Sequence, residues 1–141
     1  MGWNPWRHIG RHYPNITVIT DQELPGQVWG QQLGDRIWLC RKLNQVRRRC
    51  TLAHEIVHLE RGNVPTDPRG HLREERTVDR IAARRLIGIE QLIEALRWTR
   101  DPAELADALW VDVPTLKARM DSLDPIEVAQ LENALDGQWT P

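Results

Sequence analysis

The residues most able to do chemistry in this 141-residue chain are His54, Glu55 and His58, arranged as H-E-x-x-H. On a helix, a spacing of four brings both imidazoles to one face with Cβ atoms ~5–6 Å apart. Both rings can then reach one zinc ion at ~2.0–2.1 Å. Glu55 sits about 100° further round, too far to be a natural third ligand but well placed to take a proton from an activated water. One helical turn thus supplies two ligands and a base. With five histidines and ten glutamates in the chain, about 0.01 chance matches are expected, so the pattern is specific. A solvated histidine pair is the bland alternative. Against it, Leu52, Ile56 and Leu59 form an apolar stripe, and His54, Glu55 and His58 occupy a neighbouring face that would look into a cleft.

A catalytic zinc normally has three protein ligands and one open position. The extended form of the motif needs Gly at 61 and His at 64, where this chain has Arg61 and Val64, so the third ligand must come from elsewhere. His71, Glu74, Glu75 and Asp79 are the candidates. Glu75 shares a helical face with Val78, Asp79, Ala82 and Leu86, while Arg73, Arg76, Arg80 and Arg84 form the opposite, solvated stripe. Glu74 falls between the two. Glu75 is therefore the best third ligand. Asp79, one turn on, can accept a ring N–H from a ligating histidine, or instead pair with Arg76 or Arg80 along the helix surface. Cys50, one turn before His54, invites a Cys-His-His site but reads better as core or cleft wall, since Glu75 completes the set.

These residues need elements to hold them. Asn4 and Pro5 start a short helix over residues 4–12. The β-branched run 16–20 reads as a strand, and 27–30 and 36–40 as two more joined around Gly34-Asp35. Helical spacing then takes over. The motif helix is predicted over 44–61, stopped by Gly62, Asn63 and Pro65. A loop over 62–70 leads to a second helix over 72–87, with His71 at the loop-to-helix boundary. Further helices are expected over 89–98, from Asp101-Pro102, over 114–123, and from Asp124-Pro125. The expected fold is α+β: a small N-terminal antiparallel sheet on a helical core, followed by a C-terminal helical segment. Residues 1–100 would form the metal-binding core and residues 101–141 helices packed on it within the same domain.

Composition narrows the class. Hydrophobic residues at 40% and charged residues at 28% are globular proportions. No apolar run approaches the ~18 residues of a membrane span, and the N-terminal residues lack the apolar core of a signal peptide. Two cysteines, Cys40 and Cys50, do not make a disulfide framework. The expected setting is therefore the cytoplasm. The charge is uneven: residues 1–100 carry 17 basic and 11 acidic side chains, a net of +6, while 101–141 carry two basic and nine acidic ones, a net of −7. Either the basic part faces nucleic acid or the two parts attract each other within the molecule, and the second reading is preferred.

Two stretches resemble a known family. Arg49-Cys50-Thr51-Leu52-Ala53-His54-Glu55-Ile56-Val57-His58, followed by Glu75, Val78, Asp79, Ile81, Ala82 and Ala83, is similar to the R-x-T-L-A-H-E-x-x-H and E-x-x-A-[ND]-x-F-A-A patterns of the ImmA/IrrE metallo-endopeptidases. The likeness continues into the helix pair around residues 105–112 and 115–120, so it covers most of residues 16–123. Val78, Ile81, Arg85 and Gly88 depart from the pattern, changing packing beside the site but no proposed ligand. The resemblance implies a zincin-like core with one Zn2+ per chain, held by His54, His58 and Glu75, with Glu55 catalytic. It also implies cleavage of a helix-turn-helix transcriptional repressor in a bacterial or phage-infected cell. Asp79 is then a support for a ligand, and Arg119, His71 and Tyr13 are candidate oxyanion stabilisers.

Rival classes follow from the same residues. The segment 105–120 has helix-turn-helix spacing, which favours a DNA-binding regulator. Trp110 at the turn position and the acidic surroundings argue against it. A third class is a stoichiometric antirepressor that binds its target without cutting it, since an intact motif shows only that chemistry is possible. Manganese or iron could occupy the same ligands, although zinc suits them best.

Overall fold

Side-chain caps set most of the helix boundaries. The computed structural model describes residues 2–136, so the end of the expected C-terminal unit, residues 137–141, lies outside the described residues. The elements run α1 (Pro5–His12), β1 (Thr17–Gln22), β2 (Gly30–Leu33), β3 (Arg36–Cys40), α2 (Gln45–Arg61), α3 (Pro68–Leu86), α4 (Ile89–Leu96), α5 (Pro102–Leu109), α6 (Val113–Asp121) and α7 (Pro125–Ala134). Asn4, Asn44, Asp101, Asp112 and Asp124 each accept the backbone N–H three residues on, satisfying a donor that the helix itself leaves orphaned.

The architecture is α+β, with a small sheet followed by helices. It differs from expectation in three places. β2 covers Gly30–Leu33, where a strand over 27–30 was expected, because the two-residue turn at Gly34-Asp35 sets Leu33 opposite Arg36 and fixes the register back from there. α3 begins at Pro68 rather than near residue 72, because Asp67 caps it through the Gly70 N–H at 2.8 Å. His71 therefore lies in the first turn of α3, not at a loop boundary. The sheet is also mixed rather than wholly antiparallel. Its order is β1-β3-β2; β2 pairs antiparallel with β3 across the Gly34 turn, but β1 runs parallel to β3, with Ile19 opposite Trp38. Residues 23–29 carry the chain past the end of β3 to its far side, which leaves β2 on an open edge.

α2 is the wall between two cores. Leu52 and Ile56 pack toward the sheet with Ile9, Ile37, Leu39, Cys40 and Leu43. Cys50, Ala53 and Val57 face the other way, onto Val78, Ala82 and Leu86 of α3 and beyond them to Leu92, Leu105, Leu116 and Leu131. Full burial of a Leu or Ile side chain contributes about 1.5–3 kcal/mol, so residues 52 and 56 pin the motif helix to the sheet. The half-buried histidine side of α2 is thereby fixed in orientation.

The C-terminal helices join the second core through a buried ion network. Arg119 of α6 is fully enclosed; its Nε donates to the Ile87 carbonyl at 2.7 Å, and its guanidinium forks onto Glu127 of α7. Arg84 of α3 adds bonds to Glu127 at 2.8 Å and to the Ser122 carbonyl at 2.6 Å. The basic and acidic parts of the chain thus meet inside the molecule. Between α5 and α6, Trp110 takes a left-handed conformation, φ 59 and ψ 42, which costs an L-residue ~1–2 kcal/mol.

Candidate metal centre

The middle of α2 lies against α3, and the two helices bring four side chains together. His54 Nε2 and His58 Nε2 are 3.1 Å apart. Glu75 places one carboxylate oxygen 3.1 Å from His54 Nε2 and the other 2.9 Å from His58 Nε2. His54, His58 and Glu75 could hold a metal ion. A tetrahedral site with arms of ~2.0–2.1 Å has donor–donor edges of about 3.3 Å, so the three donors already stand near ligand spacing. The donor set, two imidazoles and a carboxylate, fits zinc.

Asp79 completes this arrangement from one turn along α3, its Oδ1 2.9 Å from His54 Nδ1. A carboxylate there holds the proton on Nδ1, so the Nε2 lone pair points at the cluster. Burial pushes the His54 pKa down, but the hydrogen bond to Asp79 and the charges of Glu55, Asp79 and Glu75 outweigh it, and the net shift is upward. His58 goes the other way: burial and the neighbouring His54 lower its pKa, and its buried Nδ1 has no hydrogen-bond partner among the described residues. Burial and the neighbouring His54 thus favour the neutral imidazole, the form that ligates a metal.

Glu55 is nearly buried, at 7% exposure. Burial raises its pKa to about 7 against the lowering effect of His54, with Glu75 raising it further and the Gln32 N–H opposing through a hydrogen bond to the carboxylate. A carboxyl group poised near neutrality can both accept and return a proton.

The open edge of β2 passes over this group. Cys40 N–H donates to the Trp29 carbonyl at 2.8 Å. With Gln31 opposite Trp38 and Leu33 opposite Arg36, the odd-numbered residues face β3, and Gly30 and Gln32 turn their backbone groups to the open side. Gly30 permits the close approach: a Cβ there would stand 2.4 Å from Thr51 Cγ2 and 3.4 Å from Glu55 Cγ. Two cavities of about 470 Å³ each flank the strand, and both include Gly30, His54 and Glu55. One extends to Trp29, Cys50, Thr115 and Ala118; the other extends to Gln32, His71 and Glu75. Together they form a cleft running along β2, past the histidines.

Not every expected site residue is here. His54, Glu55, His58, Glu75, Asp79 and His71 all line the cleft. Arg119 does not, because the Glu127 carboxylate and the Ile87 carbonyl hold its guanidinium in the core; the expected oxyanion role is corrected to a structural one. Tyr13 is likewise corrected: it caps α1, packs against His8 with ring centroids 6.1 Å apart, and lines neither cavity. The Gln32 N–H, the Gly30 approach and the α6 wall were not anticipated. Gly30 carried the only sequence signal, since glycine in a strand often marks a close backbone contact. Comparison with protein-family models, curated proteins and solved structures finds no match to this chain. No helix among the described residues is long and apolar enough to cross a membrane.

Proposed function

We propose that this chain is a zinc-dependent endopeptidase. The observation that carries the reading is the convergence of His54, His58 and Glu75 beside a nearly buried Glu55, beneath an open strand edge. An extended peptide can add to such an edge, its main chain pairing with the outward groups of Gly30 and the carbonyl of Gln32, whose N–H is taken by Glu55. The peptide would then run alongside β2 through the cleft. A bound zinc supplies Lewis acidity, lowering the pKa of water toward ~7 and polarising a carbonyl. Glu55 accepts the proton of the attacking water and passes it to the leaving amine. Asp79 orients His54, and His71 is the remaining side-chain candidate to hydrogen-bond the developing oxyanion.

The resemblance to the ImmA/IrrE metallo-endopeptidases supports a helix-turn-helix transcriptional repressor as substrate, cut within a bacterial or phage-infected cytoplasm. The test is cleavage of a peptide library and of candidate repressors by wild-type and Glu55→Gln protein, each checked for about one zinc per chain. Glu55→Gln is expected to keep zinc and lose ~10²–10⁴-fold in cleavage rate. Undiminished cleavage by that variant overturns the mechanism. Derepression by Glu55→Gln in stoichiometric amounts, with no cleavage by either protein, transfers the reading to an antirepressor.

A further inference from the structure

A third cavity, about 980 Å³, opens beside the N-terminal part of α2 and shares no lining residue with the cleft. Four tryptophans border it, and three of them keep much of their surface in solvent: Trp6 at 42%, Trp98 at 61% and Trp110 at 57% exposed. Trp110 is the informative one. The turn between α5 and α6 demands positive φ, a conformation glycine adopts freely and a bulky residue only at a cost. Its ring is mostly exposed, so folding gains little from it. A costly backbone conformation that holds a large aromatic ring in solvent points to a use outside the single molecule.

The charges around the groove indicate what it meets. On the α2 side stands Arg48, whose Nη2 reaches the Arg41 carbonyl at 3.5 Å and which forms no ion pair among the described residues. On the other stand Glu90, which forms no ion pair among them, and Glu94, whose carboxylate is held by Arg97 at 2.8 Å. A partner of one charge sign would complement only one wall. A second copy complements both, because a two-fold axis sets Arg48 of each molecule against Glu90 of the other. With a net charge of −1, long-range repulsion between copies is slight. We propose that this groove is a self-association face, on which two copies of the chain pair about a two-fold axis with Trp98 and Trp110 of each seated against the groove of the other. Tryptophan and arginine are the residues most enriched at the energetic centres of protein interfaces.

Sedimentation of the full chain across ~1–100 μM, the range in which a micromolar dimer dissociates, is the test. A concentration-dependent dimer is expected. Trp98→Ser and Trp110→Gly should each weaken it roughly tenfold or more. Trp110→Gly also relieves the left-handed strain, so its melting temperature should equal or exceed that of the wild type, which separates loss of the interface from loss of the fold. Arg48→Glu and Glu90→Arg should each weaken the dimer, and the double variant should recover it. A chain monomeric throughout overturns the proposal, as does a dimer indifferent to these changes. Tryptophans that become shielded only when a different protein is added would assign the groove to that protein, and the proposal would equally fall.

Discussion

Glu75 and Asp79 approach the same imidazole from opposite sides, and their duties separate by which nitrogen they face. Glu75 lies against Nε2 of both histidines and Asp79 against Nδ1 of His54 alone. In the proposed zinc site, removing Glu75 would take away a ligand, whereas removing Asp79 would only free a ring that still has its lone pair. Glu75→Gln is therefore expected to leave the purified protein with little zinc. Asp79→Asn should still bind zinc, with affinity lower by about 10–100-fold. Competition with a chelator of known affinity measures both, and equal losses in the two variants would contradict this division. Both residues were legible from helical periodicity, because one helix fixes the relative directions of positions 75, 78, 79 and 82. The Gln32 N–H on Glu55 was not legible. That contact depends on how a strand crosses a helix from another part of the chain, and no local spacing encodes it.

Elements obey the same distinction between local and distant causes. The caps at Asn4, Asn44, Asp101 and Asp124 are local, and the helices they start were found within a residue or two. Asp67-Pro68 carries the same acidic-cap-and-proline signal, yet α3 was expected one turn late because the glycine that follows, Gly70, reads as loop. The Asp67 side chain accepts the Gly70 N–H at 2.8 Å, so Asp67→Ala should cost about 1 kcal/mol of stability, measurable by denaturant titration. The parallel placement of β1 depended on the path of residues 23–29, which no pairwise pattern specifies. The position of β2 over α2 was likewise hidden, and Gly30 offers its test. In Gly30→Ala the new methyl meets Thr51 Cγ2 at 2.4 Å and the Trp38 carbonyl at 3.3 Å, so the strand must lift or Thr51 must turn. A loss of about 1–3 kcal/mol is expected. Adding Thr51→Ser, which deletes the offending methyl, should recover much of it. No recovery would mean that the Trp38 backbone, not Thr51, sets the spacing.

Across the whole molecule, the α2–α3 pair and the C-terminal helices are held together by Arg119, and through it by one carboxylate. Glu127 is pushed toward neutrality by its burial, but hydrogen bonds from Arg119, Arg84 and the Asp124 N–H prevail and bring its pKa down to about 2. The unfolded chain titrates this group near 4.3. A depressed folded-state pKa means that the stabilisation is fully present above ~4.3 and is lost as pH falls toward 2. Glu127→Gln should therefore destabilise the protein at pH 7 by about 3–5 kcal/mol, since it leaves the enclosed guanidinium of Arg119 without its counter-charge. The difference between wild type and variant should shrink between pH 4.5 and 2.5, because the wild type protonates into the same uncharged state. Urea unfolding of both proteins at several pH values measures that difference directly and cancels the other carboxylates, which titrate alike in both. A gap that stays constant down to pH 2.5 would show that Glu127 acts through packing rather than charge. The α3–α6 contact that forms one wall of the cleft would then owe its position to the apolar core around Val78, Ala82 and Leu116 alone.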